Sequence, residues 1–139
     1  MKIAVRYYSK TGNTEKLAKA IAEAVGVEAL STDSPLKEPV DLLFLGSSVY
    51  AAGVAQEVKD FIAALDRDTV GQVAAFSTAA LLSSTYKQIA KLLAPRNIPL
   101  SQDEFHCRGR FHAAHKDRPN AADLAAAAAF ARRVAGLEG

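Results

Sequence analysis

The stretch Lys2 to Val25, KIAVRYYSKTGNTEKLAKAIAEAV, decides the fold. An apolar strand over residues 2–7 runs into a short polar turn, and an amphipathic helix opens at about Thr14. A helix start leaves its first N–H groups without intrahelical partners and carries partial positive charge. A phosphate fits there without needing a lysine. Ser9, Lys10, Thr11, Gly12, Asn13 and Thr14 surround that point. Their hydroxyl and amide groups supply donors, and Gly12 lets the backbone curl its N–H groups inward as an anion nest. The same hexapeptide also suits an ordinary turn with Thr14 as helix N-cap.

Working outward, apolar segments alternate with helical ones along the whole chain. Strands are expected near 2–7, 27–31, 41–47, 71–77 and 101–109, and helices near 14–25, 55–65, 84–94 and 120–135. This order builds a doubly wound α/β fold, a parallel sheet with helices on both faces. Leu17, Ile21 and Val25 form the buried stripe of the first helix, with Glu15, Lys16, Lys19 and Glu23 toward solvent. Val58, Phe61, Ile62 and Leu65 do the same for the second. STDSPLKEPV has two prolines and no helical period, which predicts an irregular crossover. DLAAAAAFARRVAGL reads as the last helix, its small side chains close against the sheet.

With 139 residues and 50% hydrophobic content, residues 1–139 are expected to form one domain. The start alternates into a strand instead of forming a leader, and no apolar run approaches the roughly 18 residues of a membrane span. A single cysteine, Cys107, cannot close an internal disulfide, which suits a reducing compartment. These features predict a soluble, cytoplasmic protein without a membrane partner.

Neither GxxxxGK[ST] nor GxGxxG occurs. SKTGNT instead resembles the first phosphate loop of flavodoxins, [ST]xTGNT. The likeness continues through LFLGSSVYAAG and on to FHCRGRF and RPNAADLAAAAAFA, covering essentially the whole chain. The chain is similar to short-chain flavodoxins. That resemblance implies a five-stranded parallel sheet in the order 2-1-3-4-5, whose ligand crevice lies beyond the carboxyl ends of strands one and three. It further implies FMN as cofactor and electron transfer between protein partners. The first loop would bind the phosphate. Ser47, Ser48, Val49, Tyr50, Ala51 and Gly53 in the second loop, with Ser77, Thr78, Ala79 and Leu81 in the third, would enclose the isoalloxazine ring. Tyr50 is the expected stacking aromatic; packing on the following helix is the other use of such a ring. Gly53 either turns the chain or admits backbone to the cofactor.

Three departures from better-characterised flavodoxins point toward other chemistry. Ala51 and Ala52 stand where the resemblance implies glycine beside an acidic residue, and alanine resists the peptide flip that implies positive φ. STAALLSS has no aromatic, leaving one flavin face to Leu81 or Leu82, or open to a substrate. The formal charge is +2 and the pI about 8.7, unlike acidic flavodoxins. Arg108, Arg110, Lys116 and Arg118 cluster with only Asp117 opposing, as a solvated loop or as a docking surface for an acidic partner or anionic substrate. Two alternatives follow: a small FMN-dependent oxidoreductase, such as a quinone reductase or protoporphyrinogen-oxidase-like protein, and a flavin-free domain binding a phosphate-bearing ligand.

Other classes are disfavoured. His106, Cys107, His112 and His115 invite a metal reading, but strand alternation sends His106 and Cys107 to opposite faces, and Cys107 suits a small buried hydrophobe. A modest charge and 7% aromatics argue against nucleic-acid binding. GSSVY is not the GxSxG elbow of a hydrolase. No catalytic side chain and no metal ligand is assigned.

Overall fold

The computed structural model describes residues 1–50, 53–79, 85–108 and 118–137, without the side chains of Val49, Tyr50 and Arg108. The expected alternation is present. In chain order the elements are β1 (Ile3–Tyr7), α1 (Asn13–Val25), β2 (Ala29–Ser31), β3 (Val40–Tyr50), β4 (Gly53–Val54), α2 (Gln56–Ala63), β5 (Val70–Ala79), α3 (Tyr86–Leu93), β6 (Phe105–Arg108) and α4 (Ala121–Val134). Five strands are parallel in the order β2-β1-β3-β5-β6, the 2-1-3-4-5 arrangement. β4 is an addition that the sequence did not announce: two residues pair antiparallel with the end of β3, Val49 with Val54 and Tyr50 with Gly53.

Alternation along β3 distributes the core between the faces. Leu42 and Phe44 join Leu17, Ile21, Ala127 and Phe130 under α1 and α4, whereas Leu43 and Leu45 join Val58, Ile62, Ile89 and Leu93 under α2 and α3. Phe44 meets Phe130 edge-on at 5.8 Å between ring centroids. Small side chains let α4 approach as expected: Ala127 and Ala131 are fully buried.

Two expected boundaries moved for local reasons. Val27 was placed in a strand, but its N–H returns to Ala22 O at 3.0 Å and stops α1, so β2 begins two residues later. The last strand was expected from residue 101. Leu100 does bridge Val73, but three steps along β5 to Phe76 then face five along the edge chain to Phe105. Ser101 N–H still donates to Val73 O at 2.7 Å, residues 102–104 then leave the ladder, and β6 proper starts at Phe105.

Two arginines anchor the irregular segments. Arg6, 7% exposed within β1, donates through Nε to Ser34 O at 2.7 Å, through Nη1 to Val5 O at 3.0 Å and through Nη2 to Pro35 O at 3.3 Å. Burial lowers its pKa, and the three carbonyls are what make a buried cation tolerable on this strand. Arg118 grips Asp123 with Nε at 2.6 Å and Nη2 at 2.8 Å, while Asn120 and Asp123 close a reciprocal capping box at the start of α4.

Replacing Arg6 by Met should destabilise the fold by about 1–3 kcal/mol, because it strips charge-assisted donors from the crossover carbonyls; urea unfolding measures this. Asp123 supplies a pH-dependent contribution. Hydrogen bonds from Arg118 hold its carboxylate below the ordinary range, against burial, which raises it. Its stabilisation is thus fully present above the unfolded pKa of about 3.9 and is lost as pH falls through the depressed folded value. The stability gap between wild type and Asp123→Asn should be constant from pH 8 to 5 and shrink at lower pH in unfolding series.

Candidate functional site

β1, β3 and β5 end side by side, so the loops that follow them share one edge of the sheet. The first loop is held at both ends. Tyr7 O–H donates to Glu15 Oε2 at 3.0 Å, joining the end of β1 to the first turn of α1, and the Gly12 N–H donates to Ser9 Oγ at 2.9 Å. Burial first, and then the Glu15 bond, raises the Tyr7 pKa. Gly12 has φ +88°, a left-handed conformation that favours glycine, and is the N-cap of α1. As a glycine, this N-cap offers no side-chain hydrogen bond to the helix start. Its first intrahelical bond is from Lys16 N–H to Gly12 O, so the first-turn N–H groups precede any helical acceptor. Helix initiation thus falls one residue ahead of the expected Thr14. Lys10 and Thr11 are exposed and Ser9 half-buried, while Asn13 and Thr14 are buried.

Thr14 has a second set of contacts that its place in a turn did not suggest. Its Oγ1 lies 2.7 Å from Ser48 Oγ and 2.9 Å from Thr78 Oγ1, and those two are 3.4 Å apart. One hydroxyl from the first turn of α1 and one from the end of each of β3 and β5, all expected in loops, thus meet in a buried triangle, with exposures of 0%, 6% and 2%. Sequence reasoning placed all three residues at one site but missed their direct bonding, because the partners are 34 and 64 residues from Thr14.

Ser47 and Ser77 are also opposite each other, in register across β3 and β5. Alternation turns them to the other face of the sheet, toward α2 and α3. Both are buried, at 1% and 0%, and neither Oγ finds a partner among the described residues. Ala79 ends β5 and is buried. Gly53 opens β4 with φ +93°. Tyr50 closes the hairpin through its backbone pairing with Gly53. The expected stacking of the Tyr50 ring, the Val49 side chain, and Ala51, Ala52, Leu81 and Leu82 all lie outside the described residues or side chains.

The basic segment is corrected in one respect. Arg118 was counted as an open charge opposed only by Asp117, but its bidentate pair with Asp123 leaves it 34% exposed and Asp123 12%. Its pKa is raised, chiefly by that pairing. Arg110 and Lys116, with His112 and His115, lie outside the described residues, as does the Arg108 side chain. His106 is exposed and bonds Glu104 at 2.7 Å, while Cys107 packs half-buried against the α1/α4 core. Burial pushes the Cys107 thiol up to about 11, the opposite of an activated nucleophile.

Comparisons with known proteins agree with this architecture. No curated protein matches the chain by sequence. Among solved structures, a flavodoxin from the domain Archaea is 19% identical and superimposes with a TM-score of 0.79 over 98% of this chain and 97% of its own. Flavodoxin 2 from Bacillus cereus is 19% identical, with a TM-score of 0.72 over 98% of this chain and 99% of its own. Rubredoxin oxygen:oxidoreductase from Desulfovibrio gigas is 17% identical, with a TM-score of 0.78; the match covers 97% of this chain but 35% of that one. At such identities these likenesses speak to fold. The family is decided by the flavodoxin-domain match, which spans residues 4–132: the chain belongs to the flavodoxin-domain family.

Proposed function

We propose that this protein binds FMN at the carboxyl edge of its sheet and passes electrons between protein partners. The observation that carries the reading is the Thr14, Ser48 and Thr78 triangle, which draws the phosphate-type loop and the two ring-type loops of a flavodoxin-domain chain to one point. The residues fit such a ligand. Gly12 turns the chain and, as N-cap, offers the first turn of α1 no side-chain hydrogen bond, and Thr11 beside it is exposed. Ser9, Thr11, Asn13 and the first-turn N–H groups of α1 would hold the phosphate, with Lys10 adding positive charge nearby. Ser48, Thr78 and Gly53 belong to the walls of the ring site, and Tyr50 is the aromatic available to cover the ring. When bound, FMN supplies one- and two-electron chemistry. The protein positions the ring and leaves the chemistry to it.

A second reading is a small FMN-dependent oxidoreductase on the same scaffold. It draws on the lack of any aromatic in STAALLSS, on Ala51 and Ala52 where an acidic residue would repel negative charge on the ring, and on the net charge of +2. An electron carrier needs an added reductase, whereas an enzyme should oxidise NAD(P)H with a small acceptor unaided. Negligible turnover without a reductase is the expected result. Sustained turnover with a quinone would move the assignment to the enzyme. Docking through the remaining basic groups of residues 108–116 should weaken with salt, since screening acts over about 8 Å at physiological ionic strength.

The FMN assignment is tested by titrating flavin-free protein with FMN and riboflavin and following fluorescence quenching. FMN should bind more tightly than riboflavin. Thr11→Ala should weaken FMN by about 1–3 kcal/mol, the usual loss of a donor to a charged acceptor, and leave riboflavin unchanged. Equal or preferred binding of riboflavin would exclude the phosphate site. Thr14→Val should weaken both flavins, because it also removes the partner of Ser48 and Thr78.

A further inference from the structure

The strand β4 has two residues, and the side chain that bonds its outer edge comes from α3, the helix that also covers the Leu43 and Leu45 face. Gln88 sits in the first turn of α3, with Oε1 accepting the Val54 backbone N–H at 2.8 Å. This N–H belongs to a chain edge that would otherwise need water or another strand. Gly53 makes room for the contact. A Cβ at residue 53 would stand 2.4 Å from Gln88 Oε1 and 3.1 Å from its Cδ, and φ +93° there disfavours any side chain. The sequence offered two uses for Gly53, a turn or an approach to cofactor; the contact with Gln88 is a third.

The position of Gln88 in the chain gives the contact its significance. α3 begins just after the third loop, and Thr85, which precedes it, is buried at 1%. β4 is the return strand of the second loop, closed by Tyr50 and Gly53. Gln88 therefore joins the strand that returns from one ring-type loop to the helix that follows the other. Its bond shares no residue with the hydroxyl triangle.

We propose that Gln88 is a positioning residue for the ring site: it fixes β4, which follows the second loop, against α3, which follows the third, without acting on the phosphate site. The assignment rests on the FMN reading above. Gln88→Met keeps the side-chain length and removes the acceptor. Gln88→Glu keeps an acceptor oxygen and is the rescuing variant.

Two measurements test it. In flavin titrations, Gln88→Met should raise the dissociation constants of FMN and riboflavin by the same factor, about three- to tenfold for one lost hydrogen bond. Gln88→Glu should stay within about twofold of wild type. In flavin-free protein, amide hydrogen exchange at Val54 should accelerate in the Met variant and remain slow in the Glu variant, while core amides such as Phe44 stay protected in both. A loss confined to FMN would place the effect at the phosphate and overturn the assignment. So would unchanged binding of both flavins in the Met variant, or unchanged exchange at Val54. If wild type binds neither flavin, the FMN reading fails and the ring-site role fails with it. If wild type binds and Gln88→Met matches it, only the role of Gln88 fails.

Discussion

Three hydroxyls at the carboxyl edge of the sheet constrain everything built above them. Thr14, Ser48 and Thr78 come from the start of α1 and the ends of β3 and β5 and are shielded from water, so each must bond to another to offset its desolvation. Each hydroxyl has one hydrogen to donate. Closing the triangle uses all three, and its 3.4 Å side between Ser48 and Thr78 is the weakest. Opening that side returns one donor to the loops at small cost. A structural tie and a reserve of hydrogen-bonding capacity are thereby combined in the same atoms.

The sheet changes character as it approaches this edge. Lower layers are apolar, with Leu42 and Phe44 on one face and Leu43 and Leu45 on the other. The next residues of β3 and β5 replace this packing by Ser47, Ser48, Ser77 and Thr78. On the α1 and α4 face the hydroxyls are satisfied. On the α2 and α3 face Ser47 and Ser77 remain buried without partners among the described residues. An apolar pair there would be more stable by the cost of two desolvated hydroxyls. The sequence thus gives up stability at the carboxyl ends of these strands, the edge where ligands bind in open parallel sheets and where local rules are commonly broken in favour of function.

The parts of the fold that were legible in sequence depend on near neighbours or on a regular period. Alternation of strands with amphipathic helices located nine elements, and the SKTGNT turn located the first loop. What escaped depends on contacts distant along the chain. Nothing in Val5 to Tyr7 says that Arg6 will be buried against Ser34 and Pro35 carbonyls, and a charged residue in a strand ordinarily argues for exposure. β4 has two residues and carries no period at all. The break at residues 102–104 is invisible to a reading that sees only continuous strand character from residue 101 onward. The capping box at Asn120 was readable as N-x-x-D, but its bidentate partner Arg118 lies on the far side of Pro119.

Those same distant contacts alter the meaning of the chain's charge. A formal +2 and a run of basic residues suggest a positive surface, yet Arg6 is spent on interior carbonyls and Arg118 on Asp123. A fixed ion pair presents a partner with a dipole, which falls away faster with distance than a charge. The far field of the protein still counts every ionised group, but the potential felt at contact counts only those whose charge is not already answered nearby. The potential felt at contact near Arg118 is therefore weaker than the count of arginines and lysines implies.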